Sequence, residues 1–299
     1  MPRRPGQPTV TATTEALVVT EPGIYSMTAE DYHLDPVPGG SLSSSGARRI
    51  LDRSPATYHY EREHGQAPKR IFDLGHAAHR EVLGEGANIA VIQHDNYTTK
   101  AAKADRDAAR FDGLTPLLAK EYEQVQAMAA AIRQHPIAGR LFTPGEGIPE
   151  QALFWKDGPS GITRRALIDW TKHRQTGTRL VIADYKTTTD ASLEAISRAV
   201  NEHGYHSQDA WYRDGAIALD LGDEDTVMVF VFQEKTAPYL ITVVELDRET
   251  VRRGRERNRR AIEIYAECKA TGHWPGHHDG VAITSLPVWA QLRHDEEYS

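Results

Sequence analysis

Apolar residues follow two different periods along this chain, and the change from one period to the other outlines the fold. Five short runs rich in β-branched and aromatic residues are typical of strands. They span 152–155, 163–170, 180–185, 226–232 and 239–246, and a hairpin-type turn joins the first two. Segments 191–201 and 207–219 have helical spacing. The order α-β-β-β-α-β predicts an α/β (α+β) fold with a mixed central sheet flanked by helices.

The segments on either side of this centre are predicted to be mainly helical. We expect a flexible leader at 1–22, because Thr, Pro and small residues dominate it. One domain, 23–299, then has a helical N-terminal part (23–140), a sheet core (148–246) and a C-terminal helix and tail (247–299). The predicted helices are 47–52, 71–83, two pieces of 101–135 broken at Gly113 and Pro116, and 250–270.

Composition narrows the possible chemistry. Of the 299 residues, 39% are hydrophobic and 26% charged, as in ordinary globular proteins, and the net charge is −7. The single cysteine, Cys268, excludes a disulfide framework and a cysteine-rich metal site, and it fits a reducing cytoplasm. No stretch is typical of a signal peptide or long enough to span a membrane, so we expect no membrane association. The acidic balance argues against a nucleic-acid coat but allows a nuclease with a local basic channel.

Two carboxylates at the ends of predicted strands are the strongest chemical signal. Asp169 follows Ala-Leu-Ile, and Asp184 follows Leu-Val-Ile-Ala, with Lys186 two residues later. Because side chains alternate along a strand, Asp184 and Lys186 should project to the same face. Two acids that hold Mg²⁺, and a lysine that orients or deprotonates water, suit a phosphodiesterase. The alternatives are a solvated Asp184–Lys186 pair and a salt bridge from Asp169 to Arg164 or Arg165.

Two other residues could belong to the same site. Glu150 precedes the first predicted strand and is either a third acid or a loop residue. His79 lies on the apolar stripe of its helix, where a histidine is more often a hydrogen-bonded core residue than a ligand. His76 and His79 could together bind zinc, but no further Cys or His at ligand spacing supports a zinc site.

Two features of the C-terminal half carry a structural and a functional interpretation. Gln208 and Tyr212 are four residues apart and therefore share one face of a helix. They either form an ordinary helix surface with an inward aromatic, or brace the lysine or touch a DNA phosphate. Residues 252–260 form the densest basic run of the chain. A solvated helix face is the default interpretation, and contact with successive phosphates is the alternative.

Taken in order, these motifs resemble the PDDEXK nuclease superfamily and, within it, the phage-type exonuclease VIII (RecE-like) group. The resemblance runs from about Leu42 to Ala290. The Gln-x-x-x-Tyr element separates this branch, which is similar to the RecB nuclease domain, from most restriction enzymes. The matching stretches are 43–46, Gly75-x-x-x-His79, Pro149-Glu150, 161–169 with Arg165, Asp184-Tyr185-Lys186-Thr187-Thr188 and 204–212.

The resemblance implies a fold and a set of site residues. The fold would be a restriction-endonuclease-like αβββαβ core. The metal ligands would be His79, Glu150, Asp169, Asp184 and the Tyr185 carbonyl, around two Mg²⁺ or Mn²⁺ ions. Lys186 would activate water, Gln208 and Tyr212 would complete the site, and Arg165 would support it or contact DNA.

The resemblance also implies an activity. We expect a metal-dependent exodeoxyribonuclease that needs no ATP, because helicase motifs are missing, and that degrades linear double-stranded DNA from 5′ to 3′. The 3′ single-stranded tails would be passed to a phage-type single-strand annealing protein for recombination. The protein would form a homo-oligomeric ring in the cytoplasm of a bacterial or phage-infected host. The alternatives are a DNA-end-binding module without cleavage and an endonuclease of different specificity.

Overall fold

A computed structural model of the chain describes residues 17–65, 73–278 and 280–298. The helices are α1 Ala29–His33, α2 Ser44–Asp52, α3 Pro55–His64, α4 Asp73–Leu83, α5 Lys100–Phe111, α6 Ala119–Gln134, α7 Ala138–Leu141, α8 Leu193–Glu202, α9 Tyr205–Ala218, α10 Arg248–Thr271 and α11 Val288–Tyr298. The strands are β1 Gly23–Tyr25, β2 Leu42–Ser43, β3 Ile89–Ile92, β4 Thr115–Leu118, β5 Gly147–Lys156, β6 Thr163–Lys172, β7 Val181–Thr188, β8 Val227–Glu234 and β9 Ile241–Glu245.

A mixed sheet forms the centre of the molecule. Its strand order is β1-β5-β6-β7-β8-β9, and the short β2 pairs with β6 in parallel. Strands β5, β6 and β7 are antiparallel neighbours, whereas β7 and β8 are parallel and are connected through α8 and α9. This arrangement confirms the predicted fold class, a mixed sheet flanked by helices.

Each face of the sheet carries its own hydrophobic core. On β7, Ile182 belongs to the cluster that contains Trp211 of α9 and Ile262 of α10. Ala183 and Tyr185 belong to a second cluster that includes residues of α4 and α6. Side chains alternate along a strand, so β7 separates the two cores. The same alternation leaves Asp184 and Lys186 on the α9 side of the sheet.

Helix α10 fixes the position of α9 through a close backbone approach. A Cβ atom added at Gly254 would lie 1.9 Å from the carbonyl oxygen of His206, so only glycine fits there. One turn further along α10, the buried Asn258 donates to the carbonyl of Ser207 at 2.8 Å. The two contacts bring the start of α9 against the sheet, where Gln208 begins the polar face of that helix.

The structure contains elements that were not predicted from the sequence: the helices α1, α3 and α7, the strands β1 and β2, and three more. The predicted break at Gly113 and Pro116 contains β4, which pairs in parallel with β3 to form a separate two-stranded sheet. Neither strand was predicted, because each has four residues and a run of that length carries little periodic signal. The exposed C-terminal helix α11 was also not predicted.

Two predicted segments extend beyond the described residues. The predicted leader is described only from residue 17, and Val19 is buried against Tyr32 and Phe154 rather than free. Residues 71 and 72, the predicted start of α4, also lie outside the described part of the chain. Within that part, no helix combines the length and the apolarity that a membrane span requires.

Candidate active site

Asp169 and Asp184 face each other across the β6–β7 pair. The antiparallel register pairs Trp170 with Ala183, and its continuation places Asp169 opposite Asp184. Asp169 Oδ2 accepts a hydrogen bond from the Tyr185 backbone N–H at 3.0 Å. The two acids predicted from separate apolar runs therefore lie next to each other at one point of the sheet.

Lys186 is the cationic partner of this acid pair. Its Nζ lies 2.5 Å from Asp184 Oδ2, which confirms that the two side chains share a face of β7. Burial alone would lower the pKa of Lys186, but the Asp184 and Asp169 carboxylates outweigh it and raise the pKa above its ordinary value. In this arrangement the Lys186 ammonium is the counter-ion of both acids.

Withdrawing the two carboxylates from water raises their pKa values. Asp184 is 1% exposed, and burial raises its pKa to about 6 although Lys186 opposes the shift. The neighbouring Asp169 carboxylate adds to the rise for Asp184, and burial also raises the pKa of Asp169 itself. Two carboxylates on adjacent strands, withdrawn from water and raised in pKa, are typical of sites that bind a cation.

The alternative partners proposed for Asp169 are engaged elsewhere. Arg164 pairs with Asp214 at 3.2 Å. Arg165 pairs with Asp35 at 2.8 Å and donates to the Ser41 hydroxyl at 2.7 Å. Arg165 is buried by these contacts, so it anchors the N-terminal segment to β6 instead of presenting its charge to DNA. The role predicted for Arg165 at the site stays a prediction.

Gln208 connects α9 to the acid pair. Its Nε2 donates to Asp184 Oδ1 at 2.6 Å, and its side chain is also hydrogen-bonded to Tyr212. The two residues are one turn apart on the helix, which gives them a common face. Gln208 thus occupies one oxygen of Asp184 while Lys186 lies beside the other.

His79 of α4 approaches from the opposite side of β7. Its Nδ1 lies 3.5 Å from Asp169 Oδ2, and its ring packs against the edge of Tyr185 with centroids 5.1 Å apart. Burial and the nearby Lys186 cation lower the pKa of His79 to about 4. The imidazole is therefore neutral at pH 7, which is the form that ligates metals.

Glu150 lies at the rim of the site, inside β5, so the predictions that it precedes the first strand or is a loop residue are wrong, because the strand begins five residues earlier than its apolar run. The register pairs Pro149 with Trp170 and Gln151 with Ile168, so Glu150 is opposite Asp169. Burial and the Asp169 carboxylate raise the pKa of Glu150. Its φ of 45° is in the left-handed region that non-glycine residues rarely adopt, which indicates local strain beside the acid pair.

Two residues that hold the site in place, Tyr205 and Gln233, were not predicted from the sequence. The Lys186 ammonium lies 5.2 Å from the centre of the Tyr205 ring, over its face. Tyr205 is three residues before Gln208, and this helical spacing could have indicated a shared face. The buried Gln233 of β8 accepts from the Tyr185 hydroxyl at 2.5 Å and donates to the Met128 carbonyl at 2.9 Å. A glutamine inside an apolar strand was the available signal.

The donor set matches a hard divalent cation in type. Carboxylate oxygens from Glu150, Asp169 and Asp184 with one imidazole suit Mg²⁺ or Mn²⁺. Among the described residues, however, no group of three or more His, Cys, Asp or Glu side chains is gathered as a metal site. Asp184 instead pairs with Lys186, and Asp169 accepts from the Tyr185 N–H. Binding a cation would therefore require Lys186 to withdraw and the carboxylates to turn.

The basic run of α10 is a structural feature. Its arginines at 252, 253, 255, 257, 259 and 260 each pair with a carboxylate, the partners being Glu249, Glu256, Asp214, Asp52, Asp157 and Glu263. Three of these partners belong to other elements, so the run docks α10 against the rest of the fold. This finding favours the structural interpretation of the run over contact with successive phosphates.

Comparison with known proteins identifies the family of this chain. The family model described as "PDDEXK-like domain of unknown function (DUF3799)" matches residues 43–286, and the chain therefore belongs to that family of PDDEXK-like domains. No curated protein matches the chain. The narrower resemblance to the exonuclease VIII group stays a prediction.

Solved structures support the fold. The structure of a "Putative exonuclease" from Eubacterium rectale gives a TM-score of 0.56 at 11% identity, covering 89% of this chain and 98% of that chain. A second structure, SSO0001, gives a TM-score of 0.32 at 12% identity, with 74% of this chain and 75% of that chain covered. The first likeness concerns the fold alone, and the second is too low to carry an argument.

Proposed function

We propose that this protein is a metal-dependent nuclease whose active site is built from Asp169, Asp184 and Lys186. One observation carries the proposal: the half-buried Asp169 and the buried Asp184, on adjacent strands, share a lysine counter-ion, and a glutamine from α9 fixes Asp184. Buried charge costs folding free energy, and a fold keeps such a group where chemistry needs it. Membership of the PDDEXK-like family supports the same interpretation.

Each residue of the site would have a distinct role in phosphodiester hydrolysis. Asp169 and Asp184 would hold the metal, with His79 and Glu150 at its edges and the Tyr185 carbonyl as a backbone ligand. Bound Mg²⁺ or Mn²⁺, one ion or two, would supply Lewis-acid stabilisation of charge on the phosphate. Lys186 would orient the attacking water, held by the Tyr205 face. Gln208, backed by Tyr212, would hold one oxygen of Asp184 and leave the other for the metal.

We further propose an exodeoxyribonuclease that acts on ends of linear double-stranded DNA, from 5′ to 3′, without ATP. This finer proposal rests on the motif resemblance to the exonuclease VIII group. The reaction would leave 3′ single-stranded tails, which an annealing protein would take up for recombination. The enzyme would assemble into a homo-oligomeric ring and would work in the cytoplasm of a bacterial or phage-infected host.

The test compares end-labelled linear duplex DNA with closed circular DNA of the same sequence. We expect Mg²⁺-dependent release of nucleotides from the linear form, 5′ label first, no cleavage of the circle, and complete loss with EDTA or in Asp184→Ala. Cleavage of the circle would indicate an endonuclease instead. Full activity in Asp184→Ala would exclude this site.

A second candidate is a DNA-end-binding module without cleavage. The direct pairing of Asp184 with Lys186, at 2.5 Å, favours it, because the lysine already supplies the positive charge that a metal ion would bring to Asp184. Such a module would retain linear duplex DNA in EDTA and show no turnover when Mg²⁺ or Mn²⁺ is added. The same assay therefore separates the two candidates.

A further inference from the structure

A cavity of about 190 Å³ lies at the end of the β5–β6 hairpin that is remote from the acid pair. Lys156 and Thr163 are register partners at that end of the hairpin, and both line the cavity together with Lys269 of α10. The N-terminal segment between residues 19 and 40 forms the opposite wall. Thr163 and Asp169 are six residues apart on one strand, which corresponds to roughly 20 Å.

The two lysines of this cavity donate to neutral acceptors. Lys156 Nζ donates to the Thr163 hydroxyl at 2.8 Å, and Lys269 Nζ donates to the Gly40 carbonyl at 3.2 Å. The two lysines therefore differ from the arginines earlier on α10, each of which pairs with a carboxylate. One acid, the exposed Glu21, also lines the cavity, against two ammonium groups. The walls therefore carry a net positive charge.

Neighbouring cations increase this positive charge. Burial lowers the pKa of Lys269, and the nearby Arg62 and Lys156 lower it further. Arg62 is itself held at 3.3 Å by Asp35, so its position is fixed by the fold. Asp35 neutralises Arg62 and partly opposes the lowering for Lys269, so the repulsion that an anion in the cavity would relieve is that between Lys156 and Lys269.

We propose that this cavity binds a phosphate group through the Lys156 and Lys269 ammonium groups. Both groups and the Thr163 hydroxyl are donors, and phosphate oxygens accept charge-assisted hydrogen bonds. The phosphate belongs either to a DNA backbone or to free orthophosphate. On DNA, roughly 20 Å corresponds to about six base pairs along the duplex. This site does not depend on the proposed nuclease activity.

Calorimetric titration of the intact protein with sodium phosphate, in EDTA and at constant ionic strength, tests the site. We expect affinity to fall about tenfold in Lys156→Gln or Lys269→Gln, and about a hundredfold in the double variant, because each removes a charge-assisted bond. Lys172→Gln is the matched control. Lys172 is also in the β5–β6 hairpin, but it is paired with Glu146 at 2.6 Å, so phosphate affinity should stay unchanged.

Binding of linear duplex DNA in EDTA distinguishes the two sources. If the phosphate belongs to DNA, the double glutamine variant should bind DNA more weakly, with a salt dependence reduced by about one phosphate contact per lysine. Unchanged DNA affinity with lost orthophosphate binding would assign the cavity to free phosphate.

Equal binding of both probes by the wild type and the double variant, or no binding of either by the wild type, overturns the proposal. Lys→Arg replacements at both positions should restore binding, and thermal unfolding of each variant shows whether the fold is kept. Since no cleavage is measured, a failure here leaves the nuclease proposal untouched, and an inactive enzyme leaves this one untouched.

Discussion

Two regions of this molecule are dense in charge, and they use it in opposite ways. On α10, arginines pair with carboxylates that range from exposed to buried, and their contacts join the helix to the body of the protein. Between β6 and β7, the half-buried Asp169 and the buried Asp184 share one lysine, and a single side-chain amide holds Asp184. The comparison teaches that the partners and burial of a charged group, rather than its density along the chain, indicate whether it serves stability or chemistry.

After the complete loss expected for Asp184→Ala, the largest effect should come from the lysine of the acid pair. Lys186→Ala should reduce DNA cleavage about 10³-fold, since both the positioned ammonium and the charge balance of the acids are lost. Steady-state cleavage of linear duplex DNA measures this, with circular dichroism to verify the fold. Lys186→Arg keeps the charge in another shape, so partial activity there would separate charge from geometry. Unreduced cleavage in Lys186→Ala would remove the lysine from the mechanism.

Gln208 should have the next largest effect. Gln208→Ala removes the amide that holds Asp184 Oδ1, and loss of such a supporting hydrogen bond typically reduces metal affinity or activity about 10- to 100-fold. Titration of cleavage rate with Mg²⁺ should show that the concentration for half-maximal activity increases. If Gln208→Ala changed only the stability of the protein, Gln208 would be a packing residue. The contrast between the acid pair and the arginines of α10 would then be weaker.

The junction between the two regions can be tested at Gly254. Glycine-to-alanine changes in helices usually stabilise, but here the new Cβ would meet the His206 carbonyl at 1.9 Å. We expect Gly254→Ala to lower the free energy of unfolding by about 2 kcal/mol, measured by urea denaturation. Glu267→Ala, at an exposed position of the same helix, is the control and should leave stability unchanged. A stabilised Gly254→Ala protein would show that α9 and α10 are not in this close contact.

The smallest effect is expected for the exposed arginines of α10. Arg252→Gln and Arg253→Gln remove ion pairs with Glu249 at the surface, where such pairs contribute little. DNA affinity and its salt dependence should equal those of the wild type in a fluorescence anisotropy titration. A lower affinity, with fewer counterions released, would restore the phosphate-contact interpretation of this run.

The sequence predicted those parts of the molecule that depend on local periodicity. Alternation along β7 placed Asp184 and Lys186 on one face, and a spacing of four residues placed Gln208 with Tyr212. The left-handed backbone of Glu150 and the gathering of Lys156 with Lys269 depend instead on strand pairing and on helix docking. The carboxylates that neutralise the α10 arginines are up to about two hundred residues away along the chain, as for Arg257 and Asp52. A local sequence pattern does not show which residues distant along the chain will form an ion pair.

The buried link from Arg165 to Asp35 and Ser41 has a practical consequence for anyone shortening this protein. The family match begins at residue 43, and a version trimmed to that boundary would lose both partners of the guanidinium. A buried cation left without its counter-charge destabilises a fold by about 3–5 kcal/mol, and this one is on the strand that carries Asp169. Expression of the domain should therefore begin upstream of Asp35, even though the family match starts later.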